Sequence, residues 1–221
     1  MHRETSRPER RPDSQRAKKT CAQLGPGQHR LWTTQSLKRW QRLECTGVLR
    51  GTVASAYPDF RESYAWMRAQ MTSQLGPPPK PDTSPIWAWY QYDGVAQIEP
   101  DFPDLVHEAR QGEVVAAIEF TVTEPEVLLS DYELWHFVLG RWVFPGEVGV
   151  PRDAGGRSEA EKFEGSWPKI FDLDWVGDEY DVPRSEKSIQ ACVWELRASQ
   201  VLRVDHWIRK GERFWKIPKR R

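Results

Sequence analysis

The sequence predicts a single α+β domain with a mixed or mostly antiparallel sheet and helices packed on it. Three observations predict it. The apolar period switches between two and 3.6 residues in the order β-α-α-β-(α)-β-α-β-β, which is not the regular alternation of a doubly wound sheet. The 221 residues hold one domain plus tails, and 38% hydrophobic residues with 12 Trp suffice for a core. The third is the stretch VLLSDYELWHFVLGRW, Val127 to Trp142, a strand-to-helix junction around which the rest is arranged. Its apolar run Val127-Leu128-Leu129 stops at Ser130, an N-cap residue, with Glu133 in the capping-box position three residues on. Asp131 and Glu133 put negative charge in the first turn, where the helix dipole favours it. Leu134, Trp135, Val138 and Trp142 then form one apolar stripe, with His136 and Arg141 off it.

The remaining elements follow in chain order. Met1 to Arg30 is polar, rich in Arg, Pro and Gln, and too poor in large apolar groups to order itself. It reads as a disordered basic tail, leaving 31–221 as the domain. Leu31-Trp32-Thr33-Thr34 is the first strand. Ser36 caps a helix carrying Leu37, Trp40 and Leu43, and Gly47 ends it in the left-handed position. A longer helix starts at Asp59, with Phe60, Tyr64, Met67, Met71 and Leu75 on one face, and Gly76 and three prolines stop it. Pro85 to Gln91 is an inner strand, with Ile86, Ala88 and Tyr90 facing one way and Trp87, Trp89 and Gln91 the other. Asp101 to Arg110 reads as a short helix and Val114 to Val122 as the third strand. Pro145 to Gly165 reads as an exposed loop with a weak helix near Ser158 to Phe163, followed by one helical turn at Ser166 to Phe171. Ile189 to Leu196 and Val201 to Ile208 read as a hairpin, and Phe214 to Ile217 as a last edge strand.

Net charge is zero but uneven: residues 1–30 carry +5, residues 203–221 carry +6 and the middle carries −11. An acidic body argues against a general nucleic-acid binder, because phosphate neutralisation needs a basic face. The basic ends read as solvated tails or as nucleic-acid contacts. Cys21, Cys45 and Cys192 are odd in number and widely spaced, which fits neither a disulfide framework nor a zinc site, and Cys192 reads as a buried strand residue. No apolar run reaches membrane-span length, and residues 1–30 lack the apolar segment of a signal peptide. The expectation is a cytoplasmic protein without a structural metal and without a membrane partner.

The P-loop, GxGxxG, GxSxG and HExxH patterns are absent. Asp172 to Asp181 is acidic, but the calcium-loop pattern fails at Val176 and Pro183, where ligands belong, and a solvated loop is the simpler reading. His136, beside a Trp in a packed helix, reads as a hydrogen-bonded structural histidine. Most Trp residues sit in apolar runs and fill the core, while Trp87 and Trp89, on one strand face, are the candidates to line a pocket and stack on a flat ring. Glu195 shares a strand face with Ile189, Ala191 and Val193, where burying an unpaired carboxylate is costly. It therefore lies in water at a sheet end, pairs with an Arg, or faces a cleft and does chemistry.

The segments LWTTQSLKRWQRLECTGVL, PIWAWYQ, VLLSDYELWHFVLGRW, SWPKIFDLDW and KSIQACVWEL, in this order, resemble the bacterial and phage family known as domain of unknown function 3841, over about 31–208. That family resemblance brings no activity with it. A weaker similarity links the opening strand, helix and Gly-Val-Leu turn to divergent ADP-ribosyltransferases, which split NAD in a cleft between two small sheets. That resemblance implies a polar group at Thr33 or Gln35, a nicotinamide-stacking aromatic at Tyr90 and a catalytic Glu195 that orients the ribose and stabilises an oxocarbenium-like state. The first strand carries no His or Arg at its polar position. Two functions follow as expectations. One is a transferase using NAD on a protein or nucleic acid, which requires Tyr90 and Glu195 to meet in one pocket. The other is a non-catalytic binding module using the Trp87/Trp89 face or the basic carboxy-terminal end.

Overall fold

The computed structural model describes residues 24–100, 109–142, 144, 165–176 and 182–218. The strands are β1 (Gln28–Ser36), β2 (Val48–Thr52), β3 (Thr83–Ser84), β4 (Ile86–Tyr92), β5 (Val95–Ala96), β6 (Val114–Thr123), β7 (Leu128–Asp131), β8 (Ile189–Val193), β9 (Glu195–Arg197), β10 (Val201–Lys210) and β11 (Arg213–Ile217). The helices are α1 (Leu37–Thr46), α2 (Arg61–Leu75) and α3 (Tyr132–Gly140). A large sheet runs β11-β10-β6-β1-β4-β8-β7, with β5 paired to β4, and a small one runs β3-β2-β9. Every pairing among the described residues is antiparallel. The fold is α+β, as the mixed periodicity predicts. Most of the expected 101–110 helix, all but the last residue of the loop 145–165 with its weak helix, and residues 177–181 of the acidic loop lie outside the described residues.

Two larger cores sit on the two faces of the large sheet, and a small third cluster gathers Ala109, Val115 and Ala117 with Trp207 and Phe214. Leu31, Leu43, Leu49, Ile118, Phe120 and Leu196 belong to the core beneath α1. Met67, Met71, Leu134, Trp135, Val138 and Trp167 belong to the core beneath α2 and α3. α1 starts and stops as its sequence dictates: the Ser36 side chain accepts from the Arg39 N–H, and Gly47 takes φ 75°. Met67 and Met71 are fully buried on α2, as their spacing predicts, and Cys192 is buried. Burial pushes the Cys192 thiol pKa well above its ordinary value, so it stays protonated and inert.

The junction differs in detail. β7 continues through Ser130 to Asp131, and Asp131 rather than Ser130 caps α3, its side chain accepting from the Leu134 N–H. Pairing with β8 decides this, because Ser130 and Asp131 oppose Gln190 and Ile189. Trp142 leaves the stripe: Arg141 turns left-handed at φ 56° and Trp142 lies 59% exposed. The expected hairpin between Ile189–Leu196 and Val201–Ile208 is also corrected. β8 inserts between β4 and β7, β9 crosses to the small sheet, and β10 pairs with β6. The hairpin partner of β10 is β11, through a turn at Gly211 (φ 65°).

β1 begins at Gln28, three residues inside the segment whose composition reads as tail. Arg30 is buried, its N–H donates to Gln97 Oε1 at 3.0 Å, and its Nε lies 3.5 Å from Glu119. A chain starting at residue 31 is therefore expected to be less stable than one starting at residue 24 by about 2 kcal/mol or more, for the lost ladder bonds and the half-stripped Glu119. Equal melting temperatures of the two truncations would refute this.

Candidate functional site

β1 pairs along its whole length with β6, but its register with β4 rests on Trp32 opposite Trp89. Beyond that pair the two strands part toward Ser36 and Ile86, and a cleft of about 270 Å³ opens between them. That is near the lower bound of small-molecule pockets, enough for part of a nucleotide-sized ligand. Thr33, Gln35 and Arg39 line one side, Trp87, Trp89 and Gln190 the other, and Gly51 and Ser55 of the small-sheet region lie among the remaining lining residues. Gly51 is required here: a Cβ at this position would clash with the Ser84 carbonyl oxygen of the neighbouring strand.

A side-chain chain replaces the missing backbone ladder. Thr33 Oγ1 donates to the Trp87 carbonyl at 2.8 Å, Gln35 Nε2 donates to Thr33 Oγ1 at 2.9 Å, and Arg39 Nε donates to Gln35 Oε1 at 2.6 Å. Arg39 Nη2 reaches the Arg50 carbonyl at 3.3 Å. Every donor in this relay points the same way, with a guanidinium at its head. Among the described residues no carboxylate pairs with Arg39. Burial, and then the Arg42 charge, lower its pKa from the ordinary arginine value. The guanidinium remains cationic, and an anion beside it would relieve both effects.

The aromatic wall is backed by other rings. Trp87 lies 4.8 Å from Trp135 and 5.9 Å from Tyr64, and Trp89 lies 4.9 Å from Tyr132 and 5.2 Å from Tyr92 between ring centroids. Trp87 and Trp89 are half-buried, so they form a pocket wall and not an exposed aromatic patch. Trp87 Nε1 and Gln190 Oε1 are buried with no hydrogen-bond partner. An orphaned buried donor and an orphaned buried acceptor in the lining of one cleft are features that binding sites keep and cores remove.

The structure thus brings Thr33, Gln35, Trp87 and Trp89 together. It does not bring Tyr90 and Glu195 to them. Tyr90 packs on the α1-side core, its ring edge-on to His29 at 5.4 Å. Glu195 takes the ion-paired alternative, with Oε2 accepting from Arg50 at 2.7 and 3.0 Å and Oε1 from Arg197 at 2.9 Å. Tyr90 stands four residues along β4 from Ile86, which pairs with Val193, so about 13 Å of strand separates it from the level where the chain runs on to Glu195. Neither Tyr90 nor Glu195 is among the residues lining the cleft, and both oxygens of Glu195 accept from arginines. Arg197 extends this network to Glu126 at 2.7 Å. Burial raises the Glu126 pKa, but the Thr123 and Arg197 hydrogen bonds outweigh it and the net shift is downward.

Arg39, Gly51, Ser55 and Gln190 escape sequence reasoning. The one available signal was Gln35 and Arg39 at i and i+4 across the α1 start. His136 is exposed on α3, its Nδ1 3.0 Å from the Tyr132 carbonyl oxygen. Of the acidic loop, Asp174 lies 3.4 Å from Arg184. Among the described residues no three His, Cys, Asp or Glu side chains gather to hold a metal, and no helix is long and apolar enough to cross a membrane.

A family model described as domain of unknown function (DUF3841) matches residues 30–147, just over half of the 221-residue chain. No curated protein matches the chain, and no solved structure does. The matched segment contains β1 from Arg30 onward, α1 and β4, hence most of the cleft lining, and stops short of Gln190.

Proposed function

The chain belongs to the DUF3841 family, and from its cleft we propose that it is a binding module for an anionic ligand with a flat ring, of the nucleotide class. The observation that carries this reading is Arg39, a partly buried cation with no carboxylate partner among the described residues, in a cleft walled by Trp87 and Trp89. A phosphate would sit against the guanidinium, where Arg is the preferred partner for a planar, two-pronged contact. A base or nicotinamide ring would lie along the indoles. Trp87 Nε1 and Gln190 Oε1 supply a donor and an acceptor for its edges once side chains adjust. NAD, which combines both features, is the first ligand to test.

Binding is favoured over NAD cleavage because, among the described residues, no Asp or Glu lines the cleft. A transferase needs a carboxylate against the ribose, and Glu195 is tied to Arg50 and Arg197. The test is a thermal melt with and without NAD, and with ADP-ribose. Saturation at 100 times the dissociation constant adds about 2.7 kcal/mol, roughly 5–10 °C for a domain of this size. Arg39→Met is expected to abolish most of that shift, and to lower the unliganded melt by about 1–2 kcal/mol, roughly 2–8 °C, for the bonds lost to Gln35 and the Arg50 carbonyl. A shift that survives Arg39→Met would remove the cleft from consideration. Turnover of labelled NAD that is lost in Glu195→Gln would instead restore the transferase reading.

A further inference from the structure

The β10–β11 hairpin carries chemistry that the cleft does not use, and β6 and β1 separate it from β4. Directly opposed residues of an antiparallel pair share a face. His206, Ile208 and Lys210 of β10 therefore share one face with Ile217, Trp215 and Arg213 of β11. On that face Lys210 and Arg213 are exposed, and Trp215 is 54% exposed. Trp40 of α1 extends it, edge-on to His206 at 6.4 Å. The carboxylate of β10 belongs to the opposite face: Asp205 is buried and holds Lys216 at 2.6 Å and Arg203 at 3.3 Å. The face with Trp215 thus carries positive charge and an unpaired indole, with no strand carboxylate among them. It closes a segment, 203–221, with eight Lys/Arg and two Asp/Glu, while residues 31–202 are net acidic.

We propose that this face of the β10–β11 hairpin is a docking surface for single-stranded nucleic acid, with Trp215 stacking on a base and Lys210 and Arg213 contacting phosphates. Stacking on an exposed ring beside fixed cations is the sequence-tolerant way to hold an unpaired strand. A duplex has no free base face to offer Trp215. A membrane surface would need a broad apolar face beside the charge, and here Ile208 and Ile217 are half-buried, leaving one exposed apolar ring. β11 is also the edge of the sheet, so nothing in the sheet lies beyond it.

The test uses the full chain and a fluorescein-labelled oligothymidylate of about 20 nucleotides, read by anisotropy between about 50 and 200 mM salt. Affinity is expected to fall steeply with salt. Trp215→Ala is expected to weaken binding roughly tenfold at fixed salt. Lys210→Glu with Arg213→Glu is expected to weaken it further and to flatten the log–log salt slope by roughly 1.4, from about 0.7 per lost phosphate contact. Arg61→Glu with Lys80→Glu makes the same charge change at exposed positions on and just after α2, and is expected to change affinity less than about threefold. All are surface changes, expected to leave the melt within about ±0.5 kcal/mol, so lost binding is not lost fold. No binding at the lowest salt would overturn the proposal. So would binding that survives the hairpin variants, an effect of the control pair equal to that of Lys210→Glu with Arg213→Glu, or a preference for phosphatidylserine vesicles over the oligonucleotide.

Discussion

Lys187→Met is expected to destabilise the fold by about 3–5 kcal/mol, a fall of roughly 10 °C in melting temperature for a domain of this size. Lys187 Nζ lies 3.0 Å from Asp131, and the two side chains are 4% and 5% exposed. The same ammonium donates to the Trp175 carbonyl at 2.7 Å. Asp131 in turn caps α3 through the Leu134 N–H at 3.1 Å. The Lys187 backbone belongs to the same knot: its carbonyl accepts from Gln91 Nε2 at 2.8 Å and from the Gly94 N–H at 3.2 Å. A pair this deep contributes little against an apolar replacement of both partners, because desolvating two ions offsets their attraction. Removing only the lysine is costly because it leaves the carboxylate buried alone. The distinguishing result is the double variant. Asp131→Asn retains an oxygen for the Leu134 N–H and carries no charge, so Lys187→Met with Asp131→Asn is expected to be more stable than Lys187→Met alone. If the two single losses simply add, the ion pair is not what holds this junction.

That junction also marks what was legible in the sequence. Element existence was legible wherever one face of one segment decides it. Met67 and Met71 on α2, Ser36 and Gly47 at the ends of α1, and the edge strand β11 all follow from local pattern. The α3 cap was misplaced by one residue because β7 is held open to Asp131 by β8, some sixty positions away in the chain. The false hairpin has the same origin. Ile189–Val193 and Val201–Lys210 each read as strands, but the partners they choose, β4 and β7 for one and β6 and β11 for the other, are set by long-range burial that no window contains. In the site, Thr33, Gln35, Trp87 and Trp89 were legible as polar or aromatic groups standing on strands. Arg39 was not, because an arginine in the first turn of an amphipathic helix looks like an ordinary solvated one. Only the parting of β1 from β4 gives it a cleft to face. Glu195 shows the converse. A carboxylate on an apolar strand face invites a catalytic reading, and here the cost of that placement is met by Arg50 from the adjacent strand.

Trp135→Ala is expected to cost about 3–5 kcal/mol and to disturb the cleft from behind. Trp135 is 4% exposed in the core under α2 and α3, and it lines no part of the cleft itself. Its ring backs Trp87 at 4.8 Å, and Tyr64 meets both indoles edge-on at 5.9 Å. Interiors are packed closely enough that a void of indole size is not filled by relaxation of its neighbours. Trp87 is the neighbour with freedom to move, because its Nε1 has no hydrogen bond to hold it. The truncation is therefore expected to release Trp87, so that two effects appear together: a lower melting temperature, and loss of the Trp87–Trp135 part of the circular-dichroism couplet, leaving that of Trp66 and Trp167. Trp135→Phe keeps an aromatic ring at the same place and is expected to recover much of the stability but not that part of the couplet. A Trp135→Ala protein that melts within about 1 kcal/mol of the parent would show that the aromatic stack does not position the cleft wall. Retention of ligand-induced stabilisation in Trp135→Ala at the parent's ligand concentration would separate the two roles, leaving Trp135 to the core and Trp87 to the site.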